Sequence, residues 1–84
     1  MKSIDDELKQ ILMEHLGLNE DDVRDITPDT LLMEELGADS LDVIEVCLAA
    51  EDVFDIGLNI DDHTKVPTFG ALRQAVKDVI GEVN

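Results

Sequence analysis

A serine at the start of a strongly patterned segment is the residue best placed for chemistry. Ser40 directly follows Asp39, a good helix N-cap, and apolar residues then continue at helical spacing, which predicts a helix over residues 40–54. A phosphate on Ser40 would be stabilised, because first-turn N–H groups lack intrahelical partners and the helix dipole favours an anion. A hydrolase nucleophile is not indicated, since His15 and His63 lie in other predicted elements. On position alone, an unmodified helix serine is the simpler interpretation.

The predicted helix over residues 40–54 has two apolar faces. One is predicted to pack on the core and contains Val43, Val46, Cys47, Ala50, Val53 and Phe54. On the opposite side Leu41, Ile44 and Leu48 lie among acidic residues. Exposed apolar residues ringed by charge often mark a partner surface, so we predict a docking face for a protein that presents Lys or Arg. A merely solvated acidic face is the alternative.

The charge of the chain excludes several classes of function. Asp and Glu number 21 against 6 Lys and Arg, a formal net charge of -15, and 12 of these acids but no Lys or Arg lie in residues 25–64. Such a protein repels nucleic acid, so a nucleic-acid binder is excluded. The apolar runs are too short for membrane insertion, and the acidic N-terminal residues are unlike a signal peptide, so we expect a cytoplasmic protein.

Cysteine and histidine usage argues against a disulfide and a metal centre. Cys47 is the single cysteine and lies on the predicted core face, where a free thiol usually fills space. His15 and His63 have no second histidine at ligand spacing, and the acidic segments do not match the spacing of an EF-hand loop. We therefore expect no metal site, although loose cation binding by the acids stays open.

The remaining segments predict a single all-α domain over residues 1–84. Ser3 is predicted to cap a first helix over about residues 4–16, and a long loop pinned by apolar residues follows over residues 18–38. Residues 54–60 alternate as a strand would, but one short strand has no partner, so this segment is also predicted to be a pinned loop.

Two more helices complete the predicted bundle. Asp61 and Asp62 can open a short third helix that must end before Pro67, and Thr68 can cap a last helix that begins at Phe69. The predicted fold is a small four-helix bundle with a long first loop and a short third helix.

The string Gly37-Ala38-Asp39-Ser40-Leu41-Asp42 resembles the attachment motif of the acyl carrier protein family, in which the serine after Asp carries 4'-phosphopantetheine. The similarity covers nearly the whole chain, including Ile26-Thr27-Pro28-Asp29-Thr30 and Glu35-Leu36 before the motif. It implies a non-catalytic carrier whose Ser40, flanked by Asp39 and Leu41, is modified by a phosphopantetheinyl transferase that uses coenzyme A. Acyl groups would then be held on the arm as thioesters.

The same resemblance implies a partner surface. The matching positions are Asp42, Ile44, Glu45, Leu48, Glu51 and Asp52 on the predicted helix 40–54, with Val66 in the third helix near the arm. The implied partners are the transferase and acyl-transferring and ketosynthase-type enzymes with basic docking patches. Because no linkers flank the similarity, we expect a discrete carrier rather than a module of a larger synthase. We also expect it to be a monomer.

The chain departs from the usual fatty-acid carrier pattern around the third helix. It has Leu58-Asn59-Ile60-Asp61-Asp62-His63 where an Ile-Pro pair and an acidic helix are usual, and Pro67-Thr68-Phe69 and Ala50 also differ. These changes touch the expected acyl cavity, so fatty acid, polyketide and related specialised pathways all stay open. The alternative function is an acidic helical adaptor that uses the same face without a prosthetic group.

Overall fold

The computed structural model describes residues 3–83, with side chains described for residues 3–81. It contains four α-helices and a short 3₁₀ segment: α1 (Ile4–Leu16), α2 (Glu20–Arg24), α3 (Ser40–Phe54), the 3₁₀ segment (His63–Lys65) and α4 (Phe69–Val83). The described residues form no strand, and one isolated bridge joins Leu31 to Thr68. This confirms the predicted small helical bundle. Within this part of the chain, no helix is long and apolar enough to cross a membrane.

Helix α1 begins and ends where its sequence predicts. The N–H of Asp6 donates to Ser3 Oγ at 3.1 Å, which caps the first turn. Gly17 ends the helix in the left-handed conformation, at φ 68°, where a residue without Cβ is favoured. Leu8, Ile11 and Leu12 form the buried face of α1.

Helix α2 corrects the prediction of an unbroken loop over residues 18–38. The N–H of Asp22 donates to Asn19 Oδ1 at 2.9 Å, and the N–H of Asn19 donates back to Asp22 Oδ2 at 3.1 Å. This capping box starts a five-residue helix that buries Val23. The acids of this segment, which suggested a loop, therefore start a helix.

The core lies between α1, α3 and α4, and α3 contributes most of the face that was predicted for it. Val43, Val46, Cys47 and Ala50 are buried. The prediction was wrong for Val53, which is 48% exposed. A helical arc predicts the direction of a side chain but not whether a neighbouring element covers it, and beyond Ala50 the core covers Phe54 in part.

The loop before α3 is attached to the start of α4. The N–H groups of Phe69, Gly70 and Leu32 donate to the carbonyl oxygens of Thr30 (2.9 Å), Pro28 (2.9 Å) and Pro67 (3.1 Å), respectively. Thr30 is itself buried, and its hydroxyl accepts a hydrogen bond from the N–H of Thr27 at 2.8 Å. Backbone donors at the start of α4 are thus satisfied by the loop, which orders the chain that leads to Ser40.

The segment between α3 and α4 follows its prediction. Ile56, Leu58 and Ile60 pack against the core from a loop rather than from a strand. The N–H of Thr64 donates to Asp62 Oδ1 at 2.9 Å and starts the 3₁₀ segment, which ends before Pro67. Thr68 caps α4 as predicted, because its hydroxyl accepts a hydrogen bond from the N–H of Ala71 at 3.1 Å.

Candidate functional site

Ser40 is the first residue of α3 and its side chain is exposed. The two acids beside it hold the helix start in place through a capping box. The N–H of Asp42 donates to Asp39 Oδ1 at 2.8 Å, and the N–H of Asp39 donates to Asp42 Oδ2 at 3.1 Å. Ser40 therefore lies between two residues that fix each other, which holds its backbone at the start of the helix and leaves its hydroxyl accessible.

An open groove of about 580 Å³ adjoins Ser40. One wall comes from α3 and consists of Ser40, Leu41 and Ile44, none of which carries a charge. The other wall belongs to the 3₁₀ segment and the residues before it, namely Asp61, Asp62, His63 and Lys65. The volume of the groove can accommodate a flexible chain. Its α3 wall offers that chain apolar contact.

The wall opposite Ser40 combines two acids with two basic side chains. Lys65 Nζ lies 3.1 Å from Asp61 Oδ1, and His63 Nδ1 lies 3.8 Å from Asp62 Oδ1. The hydrogen bond from the N–H of Thr64 lowers the pKa of the Asp62 carboxyl, so this acid is ionised. All these groups are at least partly exposed, and exposed ion pairs are weak and readily exchanged.

The acid-ringed face of α3 is open to a partner at most of its predicted positions. Leu41 is 63% exposed and Leu48 is 55% exposed, and Glu45 and Asp52 are exposed beside them. Ile44 is half-buried and lines the groove. We call the set Leu41, Glu45, Leu48 and Asp52 the α3 face. It combines apolar contact with negative charge on one exposed surface.

Two positions that the resemblance placed on the partner surface are less exposed than the α3 face. Val66 is 1% exposed and belongs to the core, so it offers no surface to a partner in this conformation. Glu51 is half-buried, and its Oε2 accepts a hydrogen bond from the N–H of Leu58 at 3.2 Å. Glu51 therefore holds the loop after α3 against the helix.

The remaining candidate residues are one buried cysteine and two histidines that lie in different elements. Cys47 is buried, and burial raises the pKa of its thiol to about 11. His15 lies in the last turn of α1, whereas His63 lines the groove beside Ser40. Among the described residues, no group of His, Cys, Asp and Glu could hold a metal ion. That His63 lines the same groove as Ser40 could not be predicted from the sequence, because it depends on how distant segments of the chain pack together.

The arrangement fits a covalently attached, negatively charged and flexible group. The Ser40 hydroxyl is accessible, the adjoining groove has an apolar wall, and basic side chains lie across from it. The family model described as "Phosphopantetheine attachment site" matches residues 6–82, nearly the whole chain. The chain therefore belongs to the acyl carrier protein family, whose domain carries a covalently attached 4'-phosphopantetheine.

Proposed function

We propose that Ser40 is the attachment residue and that the loaded protein carries acyl groups as thioesters to enzymes of a fatty acid, polyketide or related specialised pathway. The observation that carries the proposal is the exposed Ser40 hydroxyl at a helix start held by the Asp39–Asp42 capping box, beside an open groove. The whole helical domain acts as one carrier. It is a substrate of its partners and not itself a catalyst.

The residues around Ser40 act by positioning. Asp39 and Asp42 fix the first turn of α3, so that a transferase meets the hydroxyl in one orientation. Leu41 and Ile44 offer apolar contact to whatever lies in the groove. When bound, the prosthetic group supplies a thiol on a flexible arm, which forms thioesters with acyl groups. The chain's own thiol, Cys47, is buried and does not compete for acyl groups.

The α3 face is the proposed docking surface for the partner enzymes. Its acids attract Lys and Arg on a partner and increase the encounter rate, whereas Leu41 and Leu48 supply the apolar contact that sets fit. The proposed partners are a phosphopantetheinyl transferase and acyl-transferring and ketosynthase-type enzymes that present basic patches near their active sites. Glu51 supports this surface indirectly, because its carboxylate accepts a hydrogen bond from the loop that follows α3.

Intact mass tests the attachment site. The full chain is incubated with coenzyme A and a broad-specificity phosphopantetheinyl transferase, and it should gain the mass of one phosphopantetheine. Ser40→Ala should gain nothing while keeping its helical circular dichroism, because Ser40 is exposed and Ala suits the first turn of a helix.

The second serine of the chain provides the matched control. Ser3→Asn retains a capping side chain on α1 and should be loaded like the unmodified protein. Loading of Ser40→Ala would show that the assigned residue is wrong. Failure of the unmodified chain to load with several transferases would instead favour the acidic adaptor that uses the α3 face alone.

A further inference from the structure

Two basic residues at the C-terminal end of the acidic middle of the chain line the groove beside Ser40. Residues 25–64 contain 12 acids and no Lys or Arg. His63 lies near the end of that stretch and Lys65 directly after it, and both line the groove that contains Ser40. Other bases are paired away from the groove: Arg24 with Asp21 within α2, and Arg73 of α4 with Asp5 of α1.

The two walls of the groove are electrostatically unlike. The α3 residues that line it, Ser40, Leu41 and Ile44, are uncharged, and the acids Asp39 and Asp42 adjoin Ser40 in the capping box. Lys65 and His63 lie on the other wall, where their present partners, Asp61 and Asp62, belong to the same short segment. Because these contacts are exposed and local, a new anion on the α3 wall can compete with Asp61 and Asp62 for these two side chains at small cost.

We propose that Lys65 and His63 hold the phosphodiester that attachment at Ser40 brings to this groove, and so direct the base of the arm towards the 3₁₀ segment. The proposal rests on the proposed function, because it needs Ser40 as the attachment residue. A phosphodiester carries one negative charge, and the basic side chains that line the same groove as Ser40 are Lys65 and His63, in a region otherwise dominated by acids.

Loading then changes the protonation of His63. The charged groups that share the groove with it are Asp61, Asp62 and Lys65. At the start of α3, the carboxylates of Asp39 and Asp42 adjoin Ser40 before and after loading, so the phosphodiester is the charge that loading adds. A new negative charge there favours the imidazolium form, so His63 should hold its proton to a higher pH in the loaded protein. The phosphodiester itself does not titrate between pH 5 and pH 8, because it lacks the second ionisation of a phosphate monoester.

Proton and phosphorus NMR on the unloaded and loaded full chain test this coupling. Intact mass first confirms loading. The titration midpoint of the His63 ring protons should then rise on loading by about 0.5 pH units or more, as expected for one added charge in a partly exposed groove. His15, on α1, serves as the internal control and should keep its midpoint. The phosphorus resonance should move with pH and follow the His63 midpoint.

Substitutions separate this contact from a general effect of charge. In loaded His63→Gln the phosphorus resonance should no longer respond to pH between 5 and 8, whereas loaded His15→Gln should behave like the unmodified protein. Lys65→Gln should shift the phosphorus resonance, and Lys77→Gln, which removes an exposed lysine of α4, should leave it in place.

The possible failures are distinguishable. A chain that gains no mass would overturn the proposed function and this inference with it. A chain that gains mass, but whose His63 midpoint is unchanged and whose phosphorus resonance does not respond to pH, would overturn the inference alone. Equal rises for His15 and His63 would also overturn it, because they would indicate a change in the overall field of the molecule.

Discussion

At the scale of single residues, the acids near Ser40 differ in what they can offer a partner. The carboxylates of Asp39 and Asp42 accept hydrogen bonds from each other's backbone, and that of Glu51 accepts one from the loop after α3. Those carboxylates stabilise the site from within. Glu45 and Asp52 are exposed on the same helix, so they are the acids best placed to meet a basic partner.

Charge reversal at Glu45 tests that assignment. Glu45→Lys should weaken binding to a purified phosphopantetheinyl transferase by about tenfold, mainly through a slower association rate, because attraction to basic residues is replaced by repulsion. Helical circular dichroism should be unchanged, since Glu45 is exposed. Surface plasmon resonance at two salt concentrations measures the effect, which should be smaller at high salt.

The matched control for Glu45→Lys is Glu14→Lys, which makes the same charge change on an exposed position of α1. It should alter the association rate much less. Equal losses in the two variants would show that the partner responds to net charge and not to the α3 face.

The thiol of Cys47 gives a prediction that depends on burial. Because burial raises its pKa to about 11, little thiolate forms at pH 8, and alkylation by iodoacetamide in the folded, unloaded protein should be at least about 100-fold slower than in denaturant. Mass spectrometry of timed samples measures the rates. In the loaded protein, one fast alkylation should appear on the arm.

Rapid alkylation of the folded, unloaded chain would contradict the placement of Cys47 in the core.

The burial of Cys47 also predicts that the free energy of unfolding depends on pH, since the folded state binds the thiol proton more tightly than the unfolded state. The corresponding stabilisation is present below about pH 9 and is lost as the pH rises through about 11.

At the scale of elements, sequence patterns were sufficient for helices whose signals are long and local. The caps and apolar spacing of α1 and α3 predicted both ranges, and Thr68 predicted the start of α4. The short α2 was missed because its signal is a capping box and one buried Val23, which acidic residues conceal in the sequence. Such a helix is marginal alone and depends on tertiary packing.

The contact between the loop and α4 depends on a glycine whose reason is visible only in the structure. A Cβ on Gly70 would lie 2.8 Å from the carbonyl oxygen of Pro28, which also accepts the Gly70 N–H. Gly70→Ala should therefore lower the free energy of unfolding by about 1–2 kcal/mol, as the loop is displaced and a hydrogen bond is strained. Urea denaturation followed by circular dichroism measures it.

Gly81, in the same helix, gives the opposite expectation. A Cβ there meets nothing within 4 Å, so Gly81→Ala should raise stability by about 0.5–1 kcal/mol through helix propensity. If both variants were stabilised, the close approach between Gly70 and Pro28 would not exist in solution.

At the scale of the whole molecule, the motif around Ser40 could be found from sequence because its residues are adjacent in the chain. The groove could not, because its walls are Ser40 and Ile44 on one side and His63 and Lys65 on the other. Their proximity depends on how the 3₁₀ segment packs against α3, which no local pattern encodes. For the same reason the burial of Val66 could not be predicted: the resemblance placed it in the third helix near the arm, and it lies in the core.

The net charge of -15 on 84 residues makes overall stability dependent on ionic strength. The 12 acids of residues 25–64 repel one another across α3 and its flanking loops, and salt screens exposed charges beyond about 10 Å at 0.1 M. Raising NaCl from about 0.02 to 0.3 M should therefore increase the melting temperature by about 5 °C, which corresponds to roughly 1 kcal/mol for a domain of this size. Differential scanning calorimetry measures the shift, and KCl should act equally.

The double variant Glu45→Lys/Asp52→Lys, which replaces two negative charges on the α3 face with positive ones, should respond less. A melting temperature that is insensitive to salt would show that the acids are spaced widely enough for water alone to relieve their repulsion.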